Sequence, residues 1–197
     1  MSAVSQLLNP DAPASLERPA LRKHLIELRR GWLAQPEAQA AQARLLRQVT
    51  ELLRELEPQC LGLYSPLDGE FDAQLALQAF AAGEALALAL PFAFREGRRM
   101  DYRRWDGRAP AAKDECGIPS CNGAVVVPDV VLVPCVGFTR EGYRLGYGGG
   151  YFDCWLAAHP GVTSVGLAWN CCEADFAIEP HDQALTLLLT ETDVIAP

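Results

Sequence analysis

The stretch 125–159, VVVPDVVLVPCVGFTREGYRLGYGGGYFDCWLAAH, constrains the chain more than any other. The apolar run Val130-Val131-Leu132-Val133 reads as a strand. A charged, glycine-bearing turn follows at Thr139-Arg140-Glu141-Gly142. Then come Arg144, Gly146, Gly148, Gly149 and Gly150, and directly after them Tyr151-Phe152-Asp153, which reads as the start of a helix. Strand, glycine loop and helix in that order build an anion-binding nest. The glycines permit positive φ and close approach of backbone to a ligand. Their N–H groups can converge on a phosphate at the positive end of the helix dipole. Arg144 adds a fixed charge, and Asp153, in the first helical turn, is placed to hold Mg²⁺ beside that phosphate.

Two familiar phosphate motifs are excluded. GxxxxGK[ST] is absent, and GYGGGY lacks the spacing of GxGxxG. A formal charge of −8 argues against general nucleic-acid binding, though a local basic pocket can still take an anion. The apolar run near Ala85–Leu90 is far below the roughly 20 residues of a membrane span, and the N-terminus does not read as a signal peptide. Seven cysteines without CxxC spacing, and only three histidines, make a zinc site or disulfide framework a poor reading. The cysteines are expected to be small buried hydrophobes in a reducing cytoplasm.

Half of the 197 residues are hydrophobic, enough for one substantial core. Residues 1–14 are expected to be a loose N-terminal tail, and 15–197 a single domain. A helix is predicted from Ser15, with Leu21, Leu25 and Leu28 inward and Arg18, Arg22, Lys23, Arg29 and Arg30 on the other face. That basic face reads either as solvated or as Arg18 and Arg22, one turn apart, pointing together at a phosphate. A second helix is predicted from about Pro36 to Glu57, a strand at Cys60–Tyr64 and a helix over Phe71–Ala82. The apolar segment Ala85–Leu90 is expected to be a strand ended by Pro91. Strand, helix, strand implies a sheet that is at least partly parallel. Met100–Trp105 reads as an edge strand, Ala109–Gly123 as loop, and Thr163–Ala168 and Ala184–Leu189 as strands. Glu70 falls just past the first strand, at the carboxyl edge where open sheets place ligands.

Pro134-x-x-Gly137-Phe138 followed by Gly142-Tyr143-Arg144-Leu145-Gly146-Tyr147-Gly148-Gly149-Gly150-Tyr151-Phe152-Asp153 resembles the signature of the 5-formyltetrahydrofolate cyclo-ligase family, also called methenyltetrahydrofolate synthetases. The resemblance extends over about residues 16–192. It implies an α/β fold: a single three-layer Rossmann-like domain with a mostly parallel sheet (NagB/RpiA/CoA-transferase-like). It also implies use of ATP and Mg²⁺ to convert 5-formyltetrahydrofolate into 5,10-methenyltetrahydrofolate, releasing ADP and phosphate. Carried over residue by residue, Arg18 and Arg22 would meet ATP, together with Arg144, Gly146, Tyr147, Gly148, Gly149, Gly150, Tyr151 and Phe152. Ser65 and Glu70 would contact the folate, along with Tyr147 to Tyr151. Arg144, Tyr151 and Asp153 would carry the chemistry, and Asp153 and Asp182 the metal. The family more often has lysine at Arg18, an aromatic residue where Cys116-Gly117 precedes Ile118-Pro119, and an acid at Thr186. The implied protein is a cytoplasmic monomer acting on a small molecule, with no nucleic-acid or membrane partner. Two rival readings are a non-catalytic nucleotide- or folate-binding domain of the same fold, and another phosphoryl-transfer or phosphosugar enzyme on a related scaffold.

Overall fold

A computed structural model describes residues 16–80 and 86–197. The expected N-terminal tail, the Ser15 cap and the Gly83 helix end lie outside these residues. In chain order the elements are α1 (Arg18–Leu33), α2 (Glu37–Leu56), β1 (Cys60–Gly62), α3 (Gln74–Phe80), β2 (Ala87–Ala93), β3 (Met100–Trp105), β4 (Ala112–Lys113), β5 (Pro119–Ser120) and β6 (Val125–Val126). There follow β7 (Val130–Pro134), β8 (Gly137–Phe138), β9 (Arg144–Leu145), α4 (Tyr151–Ala158), β10 (Thr163–Leu167), β11 (Leu187–Leu189) and β12 (Val194–Ile195).

Eight strands form the main sheet in the order β12-β11-β10-β7-β1-β2-β3-β6. The five from β11 to β2 run parallel, and antiparallel strands finish both sides. Alternating side chains serve opposite faces. Leu61, Leu90, Leu132, Val165 and Leu189 pack with Leu45, Val49 and Leu53 of α2 and with Ala76 of α3. Val131, Val133, Tyr102 and Leu188 pack with Trp155 and Leu156 of α4 on the other face. Helices thus cover both faces of a mostly parallel sheet, the expected three layers. The chain leaves β1 for β2 on one side and comes back to β7 on the other, so the strand order reverses between β1 and β7. Crevices for ligands open at the carboxyl ends of strands flanking such a reversal.

α1 stands apart from these two cores. Its Leu21 and Leu25 pack on Val136 and Leu145, which belong to the β8–β9 hairpin and its lead-in. That docking carries the first turn of α1 to the carboxyl edge of the sheet. The apolar stripe continues not through Leu28, which is exposed, but through Arg29, which is 0% exposed. Arg29 is one of five basic residues assigned to an outward face, and the structure corrects that assignment: positions 21, 25 and 29 follow the i, i+4 spacing of a single face.

Three further expectations are corrected. β2 does not stop at Pro91 but continues to Ala93. The Pro91 carbonyl accepts the Ser120 hydroxyl at 2.7 Å, so that residue's missing N–H points away from β3 and costs no ladder bond. β3 is not an edge strand, because β6 pairs outside it. The segment expected as loop contains the small hairpin β4–β5.

Candidate functional site

One cleft of about 600 Å³ opens at the carboxyl edge. Arg18, Arg22, Ser65, Glu70, Arg144, every residue from Gly146 to Asp153, and Asp182 all line it. These residues come from α1, the segment after β1, the β9–α4 loop and the chain before β11. Their only common property in the sequence is that the fold sends each to this edge.

The glycine loop forms one wall. Gly148 and Gly150 take positive φ, at 95° and 68°, whereas Gly146 and Gly149 do not. Gly150 in the left-handed region caps α4. The N–H groups of Gly148 through Asp153 have no acceptor among the described residues. Six successive donors, running into a helix N-terminus and lining a cleft, are prepared for an anion. Gly148 also faces the Arg22 guanidinium, where an added Cβ would lie 3.4 Å from its central carbon.

Arg22 donates from Nε to the Gly146 carbonyl at 2.7 Å, which ties α1 to the loop. Burial, and next the charge of Arg18, hold its pKa below the usual arginine value, with Glu179 and Asp182 acting the other way. An arginine so placed gains when a phosphate arrives. Arg18 is held by both oxygens of Asp182, with Glu179 at 3.4 Å. Burial would raise the Asp182 carboxyl, but the bonds from Arg18 and from the Glu179 N–H together keep it below the usual carboxylate range. Asp182 therefore positions Arg18, and both of its oxygens are occupied.

Arg144 sits at the floor, its side chain only 3% exposed. It reaches Asp153 Oδ1 at 3.0 Å and donates to the Gln183 carbonyl at 3.2 Å. The Gln183 N–H donates to the same Oδ1 at 3.2 Å. Both contacts fall on Oδ1. Among the described residues no three acidic, histidine or cysteine side chains gather around a point that could hold a metal. This donor set fits Mg²⁺ in its usual nucleotide-bound form, held by one or two carboxylates and phosphate oxygens rather than by a protein cage.

The other wall follows β1. The Leu67 N–H donates to Glu70 Oε2 at 2.8 Å. Burial raises the Glu70 pKa to about 7, opposed by that N–H and by Arg29. Ser65 donates to the Pro119 carbonyl at 2.7 Å and so joins this wall to the β4–β5 hairpin. Beyond it Cys116 Sγ meets the Tyr151 hydroxyl at 3.2 Å. Cys116 and Cys154 are exposed and only Cys135 and Cys172 are buried, so the expectation of buried cysteines holds for those two; all seven are free thiols.

Arg29 is the support that sequence reasoning missed. It donates to the Asp68 carbonyl at 3.0 Å, the Cys135 carbonyl at 3.3 Å and the Tyr147 hydroxyl at 2.9 Å. Three segments of the cleft, the turn before Glu70, the end of β7 and the glycine loop, are thereby pinned to one buried guanidinium. Burial pushes the Tyr147 hydroxyl up to about 12, and it remains a donor to the Leu67 carbonyl.

Comparison with known proteins bears on this geometry. The model of the 5-formyltetrahydrofolate cyclo-ligase family matches residues 14–191. The 5-formyltetrahydrofolate cyclo-ligase of Haemophilus influenzae is 25% identical over 168 residues, covering 81% of this chain and 89% of that protein. That of Mycoplasma pneumoniae is 36% identical over 64 residues, which is 32% of this chain and 39% of the relative's length. Among solved structures, a 5,10-methenyltetrahydrofolate synthetase from Mycoplasma pneumoniae has a TM-score of 0.71 at 20% identity, over 89% of this chain and 99% of its own, a likeness of fold. The Aquifex aeolicus 5,10-methenyltetrahydrofolate synthetase also has a TM-score of 0.71, at 26% identity over 92% of this chain and 93% of its own.

Proposed function

The chain belongs to the 5-formyltetrahydrofolate cyclo-ligase family, and from that premise we propose that its cleft converts 5-formyltetrahydrofolate to 5,10-methenyltetrahydrofolate at the expense of ATP, releasing ADP and phosphate. The observation that carries the reading is the pairing of two different walls in one cleft. One wall has the six unpartnered N–H groups of Gly148–Asp153 beside Arg22. The other has Glu70 at the end of β1. The first suits a triphosphate and the second a ring edge with amine and amide donors, such as a pterin.

In this reading the formyl oxygen attacks the γ-phosphorus and ADP leaves. The formyl carbon, now bearing a phosphate leaving group, is attacked by N10. That attack closes the ring, N10 releases its proton, and the carbon–oxygen bond breaks with departure of phosphate. The protein's work is positioning and charge stabilisation. Arg18 and Arg22 bind the polyphosphate, and the glycine loop orients it through backbone N–H groups. Arg144 sits where charge develops on the transferring phosphoryl group. Tyr151 and Phe152 form the boundary between the two ligands and exclude water. Ser65 and Glu70 hold the folate ring, with Tyr147 braced behind them by Arg29. Asp153 would hold Mg²⁺, which when bound shields the phosphate charge; Asp182 serves through Arg18. The reading as a non-catalytic binding domain is less well supported, because the buried Arg144 and the half-buried Asp153 are paired at 3.0 Å beside the glycine loop, where the transfer of a phosphoryl group would use both.

The test is a steady-state assay of purified protein with Mg²⁺ and 5-formyltetrahydrofolate, with and without ATP. Methenyl product, followed by its near-ultraviolet absorbance, is expected only with ATP. Folded protein that binds ATP and yields no product would favour the binding-domain reading.

A further inference from the structure

The adjacent thiols Cys171 and Cys172 have no part in the reaction above, and neither lines the cleft. They close the single helical turn Asn170–Cys172, just past the carboxyl end of β10. Successive residues on a helical turn do not ordinarily face each other. Here the two sulfurs are in contact, 3.9 Å apart.

The pair is asymmetric. Cys172 is 0% exposed, and its sulfur lies 3.9 Å from the Leu25 carbonyl of α1. Cys171 is half-buried and keeps part of its surface in solvent. The Cys172 thiol donates to the Cys171 sulfur. That bond holds the Cys171 pKa below the usual thiol value, against burial and the charge of Glu191. It pushes the Cys172 thiol up, with burial adding to the effect. A reachable sulfur with thiolate character, backed by a second thiol that keeps its proton, is the arrangement of an attacking and a resolving cysteine.

The turn is also a joint between the elements of the cleft. Trp169, directly before it, packs against Trp32 of α1 with ring centroids 5.0 Å apart, and donates from Nε1 to the Gly69 carbonyl at 2.9 Å, next to Glu70. The Cys172 carbonyl rests on β8: a Cβ added to Gly137 would collide with Leu25 and lie 3.3 Å from that carbonyl. Directly after the turn, the Ala174 N–H donates to the Phe138 carbonyl at 2.9 Å. One short turn therefore touches α1, the β8–β9 hairpin and the segment before Glu70. A disulfide between these neighbours would not leave it as it is. Consecutive Cα atoms are about 3.8 Å apart, less than the roughly 4.4 Å that ordinary disulfides span at their shortest. Closing the bond must distort the turn.

We propose that Cys171 and Cys172 are a reversible oxidation site, a dithiol that hydrogen peroxide converts to a vicinal disulfide, and that the distorted turn then unseats α1 and weakens binding at the cleft. The Cys171 thiolate attacks one peroxide oxygen and the O–O bond breaks. Sulfenic acid forms, and the departing hydroxide takes up the proton Cys171 had released. The Cys172 sulfur then attacks the Cys171 sulfur and gives up its proton, and the S–O bond breaks with loss of water. Two thiols and one peroxide become one disulfide and two waters, and the peroxide gains the two electrons that the sulfurs lose. The sulfur chemistry is independent of the cyclo-ligase reading; only its effect on turnover rests on that reading.

The experiment treats reduced wild type, C171S and C172A with hydrogen peroxide. Peptide mass spectrometry, melting temperature, equilibrium ATP binding and turnover are measured before and after. In wild type the peptide holding both cysteines should lose two hydrogens in mass, the melting temperature should drop, and ATP affinity should fall about tenfold. A dithiol reductant should restore all three. In C172A a dione probe should trap sulfenic acid at Cys171, whereas in C171S the buried Cys172 should stay unlabelled and ATP affinity should survive peroxide. C171S changes a half-buried residue, so the comparison stands even where C172A folds poorly. A wild-type pair left unmodified by peroxide would overturn the proposal, as would a disulfide that leaves the melting temperature and ATP affinity unchanged. Equal loss of ATP affinity in wild type and C171S would also overturn it, by placing the damage at another thiol such as the exposed Cys116 beside Tyr151. Absence of turnover by reduced wild type would strike the cyclo-ligase reading instead, with mass and melting temperature still deciding the oxidation site.

Discussion

Glu70 shows how much a single residue's surroundings decide. Its carboxyl would titrate near 4.5 in the unfolded chain and titrates at about 7 in the cleft, chiefly through burial. Between those values the folded chain holds a proton that the unfolded chain has lost. Stability therefore falls as pH rises through that window and stays lower above it. E70Q keeps an acceptor for the Leu67 N–H and removes the cost of burying a charge. Its melting temperature relative to wild type should climb between about pH 4 and about pH 8, while the KM for the folate worsens. Thermal scans across that range check the first part, and a difference independent of pH would mean the carboxyl is not held up by burial. Arg144 and Asp153, which line the cleft, were readable from the local pattern around the glycines, whereas Arg18 and Arg22 read equally as a solvated face and were assigned through the family resemblance. Arg29 was hidden by its type rather than its position. It occupies the same stripe as Leu21 and Leu25, yet a charged side chain is rarely expected inside unless its partners are known. Those partners, two carbonyls and the Tyr147 hydroxyl, come from chain segments 39 to 118 residues away, and no local pattern announces them.

At the scale of elements, the loop between β9 and α4 turns on two glycines that hold conformations other residues rarely adopt. Gly148, at a φ of 95°, also leaves room for the Arg22 guanidinium. Gly146 has an ordinary φ and nothing within 4 Å of an added Cβ. G148A should therefore lose about 1–3 kcal/mol of stability and raise the KM for ATP, whereas G146A should fold like wild type. Denaturant titration of both separates the two, and equal losses would show that the loop is strained as a whole. The strand–loop–helix unit itself was legible from spacing, as was α2, while β2 among the parallel core strands was legible only from its length and flanking breakers. The elements misread were those whose fate depends on a neighbour. Pro91 looks like a strand end until the Ser120 hydroxyl is seen donating to its carbonyl on the side away from β3, where the missing N–H costs nothing. Met100–Trp105 looks like an edge until the two residues of β6 pair outside it. Strands of two residues, such as β4, β5 and β12, are too short for any periodicity to register.

For the whole molecule, the reversal of strand order between β1 and β7 opens the crevice on which the proposed two-ligand reaction depends. It sends the segment holding Glu70 to one side of the crevice and the glycine loop to the other, while α1, docked on the β8–β9 hairpin, closes the end beside that loop with Arg18 and Arg22. Among the described residues no helix is long and apolar enough to cross a membrane. The proposed reaction requires this crevice to bring the formyl oxygen of one ligand to the γ-phosphorus of the other. Isotopic labelling of that oxygen tests it most directly. With 5-formyltetrahydrofolate carrying ¹⁸O in the formyl group, each turnover should deliver the label into the released phosphate, one labelled oxygen for each methenyl product formed. Unlabelled phosphate, with the ¹⁸O recovered in water, would contradict the account.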